Sequence, residues 1–327
     1  MRHVIEEFRS DALAVFHDLP VFVFSFEHPE DLSPGDTPPD VEAWAWRVGV
    51  AEYGDATGED IFPLFLETVD TQRVKALILG VWSGDVSGEE IDVFQRELLA
   101  VADRFPALEA LFIADVPQNM AEISWIEPAD PGPLLAAFPG LRVLGMRGRL
   151  DRIEPFTHAR LEELVIQSGG LPPEVVRALG VSTLPALTRL DLYLGTQSYG
   201  GLAGADDLQA ILGGDALPAL RHLGLRDAEN ADEVAAGLAH APVVAGLESL
   251  DLSLGTLSDV GAAALLSGQP LTHLKRLDLH HHFLSDAMIE RLYEALPSVE
   301  LDLSEQLELQ APYREGDEPY RYVALAE

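Results

Sequence analysis

The chain has no cysteine. That excludes disulfides, Cys-ligated zinc and a thiol nucleophile, and it fits a reducing compartment. Positive charge is scarce. There are 21 Lys+Arg against 55 Asp+Glu, a formal net charge of -34 over 327 residues. Such a surface repels nucleic-acid phosphates and anionic lipid, and steers basic partners toward itself. Aromatics are only 7% of the chain, and the 47% apolar content is weighted toward Leu, Val and Ala. No run approaches the roughly 18 apolar residues of a membrane span. The first segment, MRHVIEEFRSDALAVF, carries acids early and does not read as a secretory signal. The expected setting is cytoplasmic, with no nucleic-acid and no membrane partner.

What is abundant is one pattern, Leu-x-x-Leu-x-Leu. It appears as VKALIL from Val74, LEALFI from Leu108, LRVLGM from Leu141 and LEELVI from Leu161. It continues as LTRLDL from Leu187, LRHLGL from Leu220, LESLDL from Leu247 and LKRLDL from Leu274, with a shortened VELDL from Val299. In LTRLDL, a period of two sends Leu190 and Leu192 into a core and turns Arg189 and Asp191 the other way. One such unit cannot cover its own apolar face, so the units are expected to stack as parallel strands.

The segments between strands read as helical crossovers. Ser87 with Glu90, Asn230 with Glu233 and Thr57 with Asp60 are spaced as capping boxes. Ser258 and Ser285 are expected helix caps. The 20-residue step from Leu141 to Leu161 leaves little room for a helix, so an extended crossover is expected there. Residues 1–73 are expected to be an N-terminal cap, a degenerate first repeat with strands at Leu19 and Ala43. Residues 74–305 are expected to be the repeat region, and 306–327 a C-terminal cap or tail.

The recurring motif with a helical second half resembles the leucine-rich-repeat superfamily, nearer its ribonuclease-inhibitor-like branch. It also resembles bacterial cytoplasmic leucine-rich-repeat proteins. The resemblance covers about residues 74–305. It implies an α/β leucine-rich-repeat solenoid, a curved arc with parallel strands on the concave face and helices on the convex face. The chain departs from the family where an Asn ordinarily follows the strand. Trp82, Val116, Gly195, Ala228 and His282 stand there instead.

In that register the expected binding face carries Arg189, Asp191, Tyr193, His222, Arg226, Asp251, Arg276, Asp278, His280 and Asp302. A second, apolar patch consists of Ile78, Phe112, Val143 and Val165, either a partner site or covered by the Pro-rich loop near Pro38 or by the C-terminal tail. Three adjacent histidines, His280 to His282, invite a metal. Successive side chains on a strand point apart, however, and a closed zinc site wants about four converging ligands, so no metal and no cofactor is expected. No GxSxG, HExxH or phosphate-loop motif is present. The resulting expectation is a protein-binding scaffold or adaptor, not an enzyme, with a basic protein as partner. The alternatives are an enzyme or enzyme component with a site in the long inserts, namely the segment after Val116 and the region around Trp44 and Trp46, or a structural subunit of a bacterial complex.

Overall fold

The structure, a computed structural model, describes residues 12–26, 37–50, 56–83, 88–201, 203–311 and 318–325. Its strands are β1 Val15–Phe16, β2 Leu19–Phe24, β3 Ala45–Val48, β4 Ala76–Leu79, β5 Ala110–Ile113, β6 Val143–Arg147 and β7 Glu163–Gln167. They continue as β8 Arg189–Gly195, β9 His222–Ala228, β10 Ser249–Asp251, β11 Arg276–Asp278 and β12 Glu300–Asp302. Their order in the sheet is their order in the chain. The helices are α1 Gly58–Thr68, α2 Gly88–Ala100, α3 Gly132–Ala137, α4 Pro173–Val181, α5 Gln209–Leu212, α6 Ala231–Leu238, α7 Asp259–Ser267 and α8 Asp286–Ala295.

The chain divides into two compact units. One comprises Met1–Leu150 with His158–Gln167, the other Asp151–Thr157 with Ser168–Glu327. In the second unit the leucines align across parallel strands, Leu190 with Leu223, Leu223 with Leu250, Leu250 with Leu277 and Leu277 with Leu301. In the first unit Leu77, Leu111, Leu144 and Leu164 do the same.

The fold class expected from the resemblance is corrected. The architecture is a mixed, mostly parallel twelve-stranded sheet packed with helices, not a leucine-rich-repeat solenoid. β1 pairs antiparallel with β2, so the sheet opens on a hairpin rather than a repeat. The crossovers are not copies of one unit. α2 has 13 residues, α5 has 4, and no helix separates β6 from β7. A curved arc needs every crossover to be wider than the strand spacing, and crossovers this uneven do not supply that wedge at each step.

In the first unit the supposed open face proves to be covered. All four residues of β4, Ala-Leu-Ile-Leu, are buried, as are all four of β5, Ala-Leu-Phe-Ile. Continuous apolar strands of this kind belong to parallel sheets covered on both sides. On the face away from the leucines, Ile78, Phe112, Val143 and Val165 pack with Leu13 and Phe16, and Leu19 and Val21 close over them. The apolar patch is thus covered, by the N-terminal hairpin rather than by either segment expected to cover it.

Helix starts follow the sequence in part. Thr57 and Asp60 form the expected capping box, with the Thr57 amide donating to Asp60 at 2.9 Å. The hydroxyls of Ser258 and Ser285 accept from Val260 and Met288. Asn230 differs: its side chain donates to the Ala203 carbonyl instead of capping α6. Ser87 lies outside the described residues. No helix among the described residues is long and apolar enough to cross a membrane.

Candidate functional site

In the second unit, the face away from the leucines is polar. Rows of side chains meet there because the strands are in register. One row is Asp191, Gly224, Asp251, Asp278 and Asp302. Like charges on neighbouring strands repel, and cations from the adjoining rows offset this. Arg189 lies 2.6 Å from Asp191, and Arg226 lies 3.4 Å from Asp251. Arg276 donates to Asp278 at 2.7 Å and to Asp302 at 3.0 Å. Arg226 also lies over the Tyr193 ring, 5.0 Å from its centroid.

The acids end their own strands. Asp251 accepts from the Ser253 amide and hydroxyl, and Asp302 accepts in the same way from Ser304. Asp278 accepts from the His280 amide and from its ring nitrogen Nδ1 at 2.7 Å. A side chain that binds the backbone two residues on draws the chain away from the ladder, and β10, β11 and β12 each stop at this Asp.

Burial pushes the Asp191 carboxyl up, but its pairing with His222 and Arg189 outweighs this and holds the group well below its usual range. Asp278 behaves likewise, its burial outweighed by hydrogen bonds from His280 and Arg276. Asp191, Tyr193, His222, Arg226, Asp251, Asp278 and His280 are all buried, while Arg189, Arg276 and Asp302 are half-buried. The structure therefore brings all ten expected face residues together, yet as an internally paired network. Asp191, His222 and Asp251 offer ligand atoms within 4.8 Å of one another, and so do Asp278, His280 and Asp302. A cation at either place would have to displace the guanidinium groups that already neutralise these carboxylates.

The first unit has a different feature, a cleft of about 450 Å³ at the C-terminal ends of β2, β3 and β4. Ser25 and Phe26 line it after β2, Arg47 comes from β3, and Gly80 follows β4. Pro117 and Met120 close it from the insert after Val116. A parallel sheet offers its ligand sites at this end, where the chain leaves the ladder. Arg47 is the only charged residue among the described lining residues. Its Nη2 donates to the Asp115 carbonyl at 2.8 Å, and its Nε lies 3.3 Å from the Asp115 carboxylate.

Behind it, fully buried Arg147 lies 3.4 Å from the same carboxylate. Arg147 is fixed further by the Val116 carbonyl, the Gln167 side chain and the Phe112 ring. Asp115 thus balances one of the two guanidinium charges it touches. Arg47 was not singled out from the sequence. The signal available was a lone Arg inside the apolar run AWAWRVGV.

No family model matches the chain, and no curated protein does. Among solved structures, it is similar to a structural-genomics target protein from Bacteroides fragilis. The two are 30% identical with a TM-score of 0.72, over 82% of this chain and 73% of that one. The leucine-rich-repeat identification therefore has no family match behind it.

Proposed function

The chain belongs to the family of that Bacteroides fragilis protein, and from this premise we propose that it binds a small anionic molecule in the first-unit cleft, as an enzyme or enzyme component. One observation carries the reading. In a chain of net charge -34, the described lining of this cleft holds no carboxylate and one guanidinium. A volume of this order suits a metabolite-sized ligand. Arg47 would read a carboxylate or phosphate in two-pronged fashion, and Phe26 and Met120 would pack on the apolar remainder. The Asp115 carboxylate pre-positions the guanidinium, which lowers the ordering cost of binding.

A cytoplasmic setting is part of this proposal and accords with the absence of cysteine. The scaffold reading has less support, because the charged residues it would use spend their hydrogen bonds on one another.

The test is thermal denaturation against a panel of small carboxylates, phosphates and amines. A ligand at 100 times its Kd stabilises the native state by about 2.7 kcal/mol. At least one anion should raise the midpoint, no amine should, and Arg47→Gln should remove the effect. Flat midpoints across every anion would sink the proposal.

A further inference from the structure

Three polar residues on successive parallel strands of the second unit form a hydrogen-bonded relay. The Ser249 hydroxyl on β10 lies 2.7 Å from Nδ1 of His222 on β9. Nε2 of the same ring lies 2.8 Å from Oδ1 of Asp191 on β8. His222 and Asp191 are buried, and Ser249 is half-buried. The ring is thus more shielded from solvent than the residue that carries the hydroxyl.

The order of partners fixes the tautomer. A carboxylate only accepts, so Asp191 holds the ring proton on Nε2. The Nδ1 lone pair is then turned to the Ser249 hydroxyl. Asp191 is anchored by Arg189. Gly224 faces it across β9, where any β-carbon would collide with Oδ1. On the other side of Ser249, its register partner on β11 is Arg276. Nε of Arg276 is buried and has no hydrogen-bond partner.

A nucleophile within reach of a base, and a base oriented by a third group, is the arrangement that activates a hydroxyl. We propose that Ser249 is a nucleophile that accepts acyl groups from small esters, with His222 as its base and Asp191 as a positioning residue. Oγ bonds to the ester carbonyl carbon while its proton passes to Nδ1 of His222. The carbonyl electron pair moves onto oxygen, in the row that carries Arg276. When that pair returns, the bond to the leaving alcohol breaks, and the alcohol oxygen takes the proton from Nδ1. Water then repeats the sequence, releasing a carboxylic acid and restoring Ser249. This site is separate from the first-unit cleft and does not depend on it.

The experiment uses the full chain and p-nitrophenyl acetate. The expected result is a burst of p-nitrophenolate and an acetyl group mapped to Ser249 by peptide mass spectrometry. Ser249→Ala should abolish both with an unchanged melting midpoint. His222→Gln should slow acylation by about 10²–10⁴-fold, the usual worth of a positioned base. Asp191→Asn should lower kcat and leave KM in place. Acetylation confined to lysines, or a wild-type burst from Ser249→Ala, would overturn the proposal. If His222→Gln fails to fold, adduct mapping and Ser249→Ala still decide it.

Discussion

Phe16 meets Phe112 edge to face, with ring centroids 6.0 Å apart and planes at 87°. This contact pins the hairpin of β1 and β2 to the face of the sheet opposite the leucines. Both rings are fully buried. Phe16→Ala should therefore cost about 3–5 kcal/mol in urea denaturation, the usual range for emptying a buried aromatic site. The neighbouring Val15 is 42% exposed. Val15→Ala should stay within about 0.5 kcal/mol of the parent. Equal effects for the two would show that the hairpin does not cover the sheet.

The same contact shows where the sequence stops being readable. The register of Leu190, Leu223, Leu250 and Leu277 was legible because each leucine sits at a fixed offset in a repeated motif. Asp191 and Asp251 alternate with those leucines, and alternation was read as exposure. Alternation says only that a residue points away from the leucines. Whether that side is wet depends on what else lies there, and here it holds paired arginines and serines. Leu13 and Phe16 belong to one five-residue apolar run, ALAVF, too short to signal that it covers a sheet face. The 20-residue step from Leu141 to Leu161 marked the helix-free crossover between β6 and β7. Nothing in the repeat set the unequal lengths of the helical crossovers, and the expected arc depended on those. Arg47 and Asp115 lie 68 positions apart, so nothing local in the sequence links them.

Gly224 supplies a second prediction. It sits between Asp191 and Asp251 in the row of acids, and a β-carbon there would strike the Asp191 carboxylate. Gly224→Ala must push Asp191 away from His222 and Arg189. That breaks a buried charge network, an event that costs about 3–5 kcal/mol when a partner is lost. Gly246 has nothing within 4 Å of its β-carbon position. Gly246→Ala is the control and should be nearly neutral. The measurement is chemical denaturation of both variants, and a mild Gly224→Ala would show that the network has room to shift.

The C-terminal segment gives a third. Fully buried Asp227 accepts from the Leu325 amide at 2.9 Å, and the Ala324 amide donates to the Leu254 carbonyl at 2.8 Å. Burial raises the Asp227 carboxyl well above its ordinary value, against the hydrogen bond from Leu325. In the pH range between the unfolded and folded values, the native state binds more protons than the unfolded one. Stability is therefore lost as pH rises through that range. Asp227→Asn removes the charge and keeps an acceptor, and Asn tolerates the left-handed backbone found at Asp227, φ 54°. The variant should gain stability relative to the parent as pH rises. Melting midpoints measured across the acid-to-neutral range check this, and a constant difference between the two proteins would contradict it.

His282 works in the opposite sense. Its Nε2 lies 3.0 Å from the Leu303 carbonyl, and its Nδ1 accepts from the Leu284 amide at 3.2 Å. Only the neutral ring, protonated on Nε2, makes both bonds. Burial lowers its pKa from the ordinary value of 6.5, and burial also lowers that of His281, which meets the Tyr322 carbonyl at 3.3 Å. Below about 6.5 the unfolded chain takes up protons that the native chain refuses. These histidines therefore contribute fully above that pH, and their contribution is lost as pH falls toward their folded values. Each such proton steepens the dependence by up to about 1.4 kcal/mol per pH unit. His282→Asn should lower stability at neutral pH and flatten the acid slope, because the refused proton is gone. Urea denaturation at several pH values between about 5 and 8 separates the two effects. A parallel slope in parent and variant would mean that His282 accepts its second proton inside the fold at no cost, and the hydrogen bond from Leu284 would then have to be absent.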